Sequence, residues 1–128
     1  MTQNLTVQDV ETEDRVSVVR TSDRENLWFM GDLIQLIVTN DMTQGRFSMS
    51  MTHAKPASEP PLHEHQDEDE IFFVLEGQVE FWAGEKYTVL GPGDCIVAPK
   101  DVPHIFKASE QVESKWLTLS VPGGLDDF

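Results

Sequence analysis

Two histidines lie one residue apart at the start of the most acidic segment of the chain. Positions 63–70, HEHQDEDE, place His63 and His65 among five acidic residues. In an extended segment, residues i and i+2 point to the same side, so the two imidazoles would lie next to each other. Imidazole nitrogens and carboxylate oxygens are common ligands of divalent transition metals. The spacing therefore favours a shared metal ion, with a carboxylate from the following residues as an oxygen ligand.

A further ligand would have to come from another part of the chain, and His104 is the obvious candidate. It begins an apolar segment directly after PKDVP, whose second proline restricts the approach of the backbone. The remaining histidine, His53, ends the segment RFSMSMTH, and we interpret it as a surface or capping residue.

Two simpler interpretations compete with a metal site. His63 and His65 could be ordinary polar residues of a surface loop, and the acidic positions 64–70 could form a solvated face. The metalloprotease motif H-E-x-x-H does not apply, because Asp67 stands where its second histidine would be.

Composition limits the partners that this chain can have. Its 23 Asp and Glu against 9 Lys and Arg give a formal charge of −14. A protein needs a basic face to bind a nucleic-acid phosphate backbone or an anionic membrane, so neither is expected as a partner. A small-molecule partner is expected instead. The single cysteine, Cys95, excludes a disulfide framework and a cysteine zinc site within one chain. We interpret it as a small buried hydrophobe.

The N-terminal segment MTQNLTVQDVETEDR is polar and acidic, and it lacks the apolar stretch of a signal peptide. No apolar run approaches the ~18 residues of a membrane-spanning helix. We therefore expect a cytoplasmic protein. Residues 1–25 are expected to form an N-terminal arm and first strand, and residues 26–128 a single domain.

Apolar residues alternate with polar ones along most of the chain, which predicts short strands. The predicted strands are RVSVV (15–19), LIQLIVT (33–39), RFSMSMT (46–52), IFFVL (71–75), QVEFWA (78–83), KYTVL (86–90), DCIVA (94–98), HIFK (104–107) and KWLTLSV (115–121). Helical periodicity is absent apart from one turn at GGLDDF. Many short strands at this spacing predict an all-β sandwich or barrel. LIQLIV and IFFVL are apolar on both faces, which predicts a homodimer in which a partner subunit covers them.

The segment 57–108 resembles the two signatures of the cupin superfamily. The first is H-x-H, four residues, Glu, six residues and Gly, and the second is Gly, five residues, Pro-x-Gly, two residues, His, three residues and Asn. The matching residues are His63, His65, Glu70 and Gly77, followed by Gly93, Pro99, Asp101 and His104. Three positions depart from the pattern: Ala57 and Asp101 replace glycines and Ala108 replaces the final Asn. Asp tolerates a left-handed turn, and we expect Ala57 to cost little in its Pro-rich turn.

The resemblance implies a cupin-type double-stranded β-helix, which is a jelly-roll barrel. It also implies one divalent metal per chain (Ni, Fe, Mn, Zn or Cu) on a defined ligand set. The implied ligands are His63, His65, Glu70 and His104. Spacing to Gly77 favours Glu70 as the acidic ligand, and the adjacent Asp69 stays an alternative.

The sequence is similar to small cupins of the quercetin 2,3-dioxygenase-like kind. That likeness implies a metal-bound flavonol or enediol, deprotonation by Glu70, and O2 insertion with ring cleavage. Two alternatives stay open: a metal-dependent isomerase or epimerase acting on a sugar or polyketide, and a non-catalytic small-molecule-binding module.

Five apolar residues are expected to line the substrate pocket. Phe47, Met49 and Met51 share one strand face, either as ordinary barrel lining or as an adaptable wall for a flat substrate. Phe72 and Phe106 should face inward, because they have the same parity as Glu70 and His104. The acidic positions 67–69 are expected to stay solvated at the cavity mouth.

Overall fold

The chain folds almost entirely into antiparallel strands. The computed structural model describes residues 16–58 and 67–124. In these ranges the strands are β1 (Glu25–Phe29), β2 (Asp32–Val38), β3 (Ser48–Ala54), β4 (Asp69–Glu76), β5 (Val79–Ala83), β6 (Lys86–Leu90), β7 (Cys95–Ala98), β8 (His104–Ala108) and β9 (Ser114–Val121). A 3-10 turn at Thr21–Asp23 and one short helix, α1 (Asn40–Thr43), complete the described elements.

The strands form two sheets. The larger sheet has the order β1-β2-β3-β9-β4-β7 and the smaller one the order β6-β5-β8. Each pairing in both sheets is antiparallel. Because β9 pairs with both β3 and β4, the last strand lies between two earlier strands of the larger sheet. The all-β fold predicted from the alternation is confirmed.

The core lies between the sheets and is built from alternate positions of their strands. It includes Phe72 and Val74 on β4, Phe81 on β5, and Trp116 on β9, and all four are at least 97% buried. The rings of Phe72 and Phe81 connect the two sheets, with centroids 5.0 Å apart. Burying a side chain of this size stabilises the folded state by about 1.5–3 kcal/mol. The face of each strand that carries these side chains is therefore the face that points inward.

Two local predictions differ from the structure. No strand forms over positions 16–19 of the predicted segment RVSVV, whose first residue lies outside the described ranges. Val16 and Val18 are 63% and 70% exposed, so their alternation does not face a core. The first described strand instead begins at Glu25, and the proposed boundary between residues 25 and 26 stays a prediction.

The described helical elements are short. The turn predicted at GGLDDF is not helical at 123–124, and the rest of that segment lies outside the described residues. Within the described part of the chain, no helix is long and apolar enough to cross a membrane.

The outer face of the larger sheet remains apolar and accessible. Phe73 on β4 is 39% exposed and Val97 on β7 is 57% exposed. Cys95 lies opposite Phe73 in the β4–β7 register and is also exposed. The prediction of a buried cysteine was therefore wrong, because position 95 has the outward parity of an edge strand. The homodimer predicted from the doubly apolar strands stays a prediction.

Candidate functional site

Glu70 and His104 meet in the interior between the two sheets. Glu70 on β4 is 3% exposed and His104 on β8 is 1% exposed. Glu70 Oε1 lies 2.9 Å from His104 Nε2. Glu70 shares its strand face with Phe72, and His104 shares its face with Phe106, because side chains two residues apart point to the same side. Phe72 is in the core and Phe106 packs against it, so both lie on the inner face, whereas their contact with a substrate stays a prediction.

The orientation of the His104 ring is set by a second contact. Its Nδ1 lies 3.2 Å from the carbonyl oxygen of Val102, so Nδ1–H donates to that oxygen and Nε2 faces the carboxylate. Burial alone would lower the pKa of His104. The hydrogen bond to Glu70, the bond to Val102 and the charge of Glu70 outweigh burial and raise this pKa above its usual value.

The pair has donor chemistry that suits a divalent metal. With Nδ1–H held by a backbone carbonyl, Nε2 is the ring nitrogen that can bind an ion, an arrangement common for metal-bound histidines. Glu70 Oε1 lies 2.9 Å from this nitrogen. A carboxylate oxygen and an imidazole nitrogen are both donor types that divalent transition metals take, so the chemistry of this pair would suit such an ion.

The other two predicted ligands, His63 and His65, lie outside the described residues. Within 16–58 and 67–124, no group of three His, Cys, Asp or Glu side chains is arranged to hold a metal. The four-residue ligand set therefore stays a prediction, with Glu70 and His104 as its described half.

The two candidate carboxylates of β4 point in opposite directions. Asp69 is exposed, and its Oδ1 accepts a hydrogen bond of 2.9 Å from the backbone N–H of Lys100. Glu70 is the one that reaches His104. Asp67 is also exposed, as expected, but Glu68 is half-buried and lies 2.9 Å from the hydroxyl of Ser120.

The face of β3 that points to the interior carries hydroxyl groups rather than apolar side chains. Met49 pairs with Leu119 and Met51 with Leu117, whereas Thr52 pairs with the core residue Trp116. The register therefore places Met49 and Met51 on the other face of β3 from Thr52, where Met51 is buried at 9% exposure, and their contact with a substrate stays a prediction. Phe47 precedes the strand and is 38% exposed.

Sequence reasoning missed this inner hydroxyl wall. Its buried members are Ser48, Ser50 and Thr52 on β3 and Thr118 and Ser120 on β9. Polar residues that alternate with apolar ones usually mark a solvated strand face, and that rule is reversed here. The repeated Ser/Thr alternation in both SMSMT and WLTLS is the signal that could have located the wall.

His53 lies apart from the Glu70–His104 pair. It has the outer parity of Met51, and its Nε2 donates a hydrogen bond of 3.0 Å to Gln35 Oε1. Burial lowers the pKa of His53, and the positive charges of Lys115 and Arg24 lower it further. The negative charges of Glu76 and Glu113 raise it and offset part of this decrease. That His53 is not a metal ligand stays a prediction, and its place on the outer face of β3 supports it.

Backbone conformation explains several signature positions. Asp101, in place of glycine, has a left-handed φ of +66°, so the turn is retained as expected. Ala57 has a φ of +63°, a conformation that costs an L-residue about 1–2 kcal/mol, which is more than the sequence led us to expect. At Gly77, φ is +81° and a Cβ would lie 2.5 Å from the carbonyl oxygen of Glu113, so only glycine fits there.

Comparison with known proteins assigns the fold family. A family model described as a cupin domain matches residues 50–120, more than half of the chain. The chain is 23% identical over 111 residues to quercetin 2,3-dioxygenase of Bacillus subtilis (strain 168). That alignment covers 87% of this chain and 33% of the relative, so the chain spans about a third of the relative's length.

Solved structures agree with this assignment. The structure of KdgF from Halomonas sp. matches with a TM-score of 0.76 and 20% identity, covering 88% of this chain and 98% of that one. The polyketide cyclase RemF from Streptomyces resistomycificus matches with a TM-score of 0.70 and 21% identity, covering 83% and 79% of the two chains. At these identities the likeness shows the fold, and it agrees with the jelly-roll barrel expected from the two signatures. The chain therefore belongs to the cupin domain family.

Proposed function

We propose that the chain is a metal-dependent cupin dioxygenase that acts on a small enolic molecule, either flavonol-like or an enediol. The observation that carries this proposal is the buried contact between Glu70 and His104, which puts a carboxylate and an imidazole nitrogen 2.9 Å apart inside the barrel. The likeness to quercetin 2,3-dioxygenase supports the same reaction class, over the third of that relative that the chain spans.

The proposed ligands of one divalent metal are His63, His65, Glu70 and His104. These donor types suit Ni, Fe, Mn, Zn or Cu, and ligand type alone does not determine which of these metals binds. When bound, such a metal would stabilise the anionic oxygen of an enolate and provide a site for oxygen chemistry.

Glu70 is the proposed base. Among the four ligands, only a carboxylate can accept a proton near neutral pH without becoming an added cation. Glu70 takes the proton of the enol hydroxyl, and His104 stays oriented by its bond to the carbonyl of Val102. Both atoms of O2 enter the product as a carbon–carbon bond is cleaved, so O2 is the oxidant and no separate reductant is needed.

A metal-dependent isomerase or epimerase is the second candidate. The buried hydroxyl wall of β3 and β9 supports it, since such a wall suits a sugar-like or polyketide substrate with many oxygens. This reaction would also use Glu70 to move a proton, but it would consume no oxygen. A non-catalytic module would bind the same molecules without converting them.

Oxygen uptake separates these proposals. The protein should be purified without added metal, its metal content measured, and oxygen consumption followed with quercetin and with a small enediol. Oxygen uptake in step with substrate loss supports the dioxygenase. Substrate conversion that continues under strict anaerobiosis favours the isomerase, and binding without conversion favours the non-catalytic module.

A further inference from the structure

Two buried hydroxyl groups on the inner wall form no hydrogen bond with the described residues. Ser50 on β3 and Thr118 on β9 are directly opposite each other in the register. Their exposed fractions are 4% and 5%. Neither side chain forms a hydrogen bond within the described part of the chain. An unpaired buried hydroxyl is unfavourable by about 1–3 kcal/mol, which calls for a partner from outside the described residues.

The neighbouring hydroxyls of the same wall have structural partners. Ser120 Oγ lies 2.9 Å from Glu68 Oε2. Ser48 Oγ accepts a hydrogen bond of 3.2 Å from the backbone N–H of Gly124. These two serines hold the end of β9 against neighbouring segments. Ser50 and Thr118 have no such task, and this difference distinguishes a binding pair from ordinary polar lining.

The free pair lies on the two strands beside β4, which carries Glu70. Ser120 faces Glu70 in the β4–β9 register, and Thr118 faces Phe72, so Thr118 is the diagonal neighbour of Glu70. Diagonal neighbours in antiparallel strands are about 7–8 Å apart. Ser50 lies one strand further, which adds about 4.8 Å. The two hydroxyls therefore lie on the same inner wall as Glu70, on the first and second strands beside β4.

The aromatic residues near the pair do not offer a stacking slot. Phe72 and Phe106 are the inner-face rings closest in sequence to the two ligands. Their centroids lie 6.2 Å apart, and Phe106 packs edge-on against Trp116 at 4.9 Å. These rings pack against one another in the core, so among the described residues the wall beside Glu70 presents hydroxyls rather than ring faces.

We infer that the substrate is a compact, polyoxygenated aliphatic molecule of the enediol or hydroxycarbonyl class. Its enolic end is directed to Glu70, and its further oxygens form hydrogen bonds with Ser50 and Thr118. The inference rests on the proposed function, because it takes the Glu70–His104 pair as the reacting centre. It selects the enediol class over a flat, three-ring flavonol.

Binding measured without turnover tests the inference. Calorimetric titrations under anaerobic conditions would use the metal-containing protein with reductic acid, a compact cyclic enediol, and with quercetin. Reductic acid should bind the wild type more tightly than quercetin. Ser50→Ala and Thr118→Val should each weaken its binding about 3- to 10-fold, as expected for one lost hydrogen bond.

Matched variants separate the hydroxyl from the shape of the side chain. Thr118→Ser keeps the hydroxyl and should restore most of the affinity that Thr118→Val loses. Thr52→Val removes a hydroxyl of the same β3 face that lies opposite Trp116, two rows from the Glu70 level, and should leave the affinity within about twofold. Metal content is measured for each variant and should not change.

Several outcomes would overturn the inference. These are tighter binding of quercetin than of reductic acid, no binding of reductic acid to the wild type, unchanged affinity in Ser50→Ala and Thr118→Val, or loss of metal in these variants. Hydroxyl-dependent binding of reductic acid without oxygen uptake would support the inference and refute the dioxygenase. Oxygen uptake with quercetin alone would do the reverse.

Discussion

Glu70 Oε1 and His104 Nε2 lie 2.9 Å apart, although the two residues belong to different sheets and are 34 positions apart in the sequence. The contact forms only when Glu70 points inward from β4 and His104 points inward from β8. A slip of one residue in β4 would turn Glu70 outward and bring Asp69 to the interior. The hydrophobic positions that flank Glu70 therefore determine which carboxylate belongs to the site.

Glu70→Gln should lower oxygen-dependent activity by about 10²–10⁴-fold, because it keeps the shape and an oxygen donor but removes the base. Most of the metal should be retained. Asp69→Asn is the matched control and should have a small effect, since Asp69 is exposed and bonds the backbone of Lys100. Full activity in Glu70→Gln, measured with an oxygen electrode on metal-replete protein, would contradict the assigned role.

The double change of His63 and His65 to Ala should abolish metal binding and leave the β-structure intact. The reason is that two of the four proposed ligands are lost, while the core residues between the two sheets are unchanged. Metal analysis and far-UV circular dichroism check the two expectations. His53→Ala is the control and should keep its metal, because its ring bonds Gln35 on the outer face of the sheet. Stoichiometric metal in the double variant, or its loss in His53→Ala, would show a different ligand set.

Parity explains both what the sequence predicts and what it misses. Parity with Glu70 and His104 predicts that Phe72 and Phe106 face inward, and the structure has both of them on the inner face. The same rule fails on β3, where Ser50 faces the interior and Met51 the outer face. Local alternation gives the two faces of a strand but not which of them meets the core. That choice depends on pairing with Trp116, 64 residues from Thr52, which the local pattern does not contain.

Gly77→Ala should destabilise the protein more than Gly93→Ala. Both glycines have a left-handed φ, of +81° and +89°, so both substitutions cost about 1–2 kcal/mol. A Cβ at Gly93 meets nothing within 4 Å, whereas at Gly77 it lies 2.7 Å from Ser114 Cα. The overlap should add about 1–3 kcal/mol. Denaturant titrations of both variants measure the difference, and equal losses would show that the β4–β5 turn relaxes freely.

Protonation of His53 should destabilise the folded chain at acidic pH. Its pKa is lower in the folded protein than the usual 6.5, so the unfolded chain binds more protons in this range. The contribution of His53 is therefore fully present above about pH 6.5 and is lost as the pH falls through its lowered folded pKa. Between pH 7 and pH 5, the melting temperature of the wild type should fall further than that of His53→Gln. An equal decrease in the two proteins would contradict the lowered pKa.

The protein should be a homodimer that buries the outer face of its larger sheet. Phe73 and Val97 are 39% and 57% exposed on this face, and a two-fold dimer is the commonest arrangement that would cover them. Light scattering should give about twice the chain mass of 14.5 kDa. Val97→Asp should shift the protein towards the monomer, because it places a charge in the apolar interface. Val112→Asp is the matched control, since Val112 is 49% exposed but lies in the loop between β8 and β9. A monomeric wild type would exclude the dimer, and a dimer that survives Val97→Asp would place its interface on another surface.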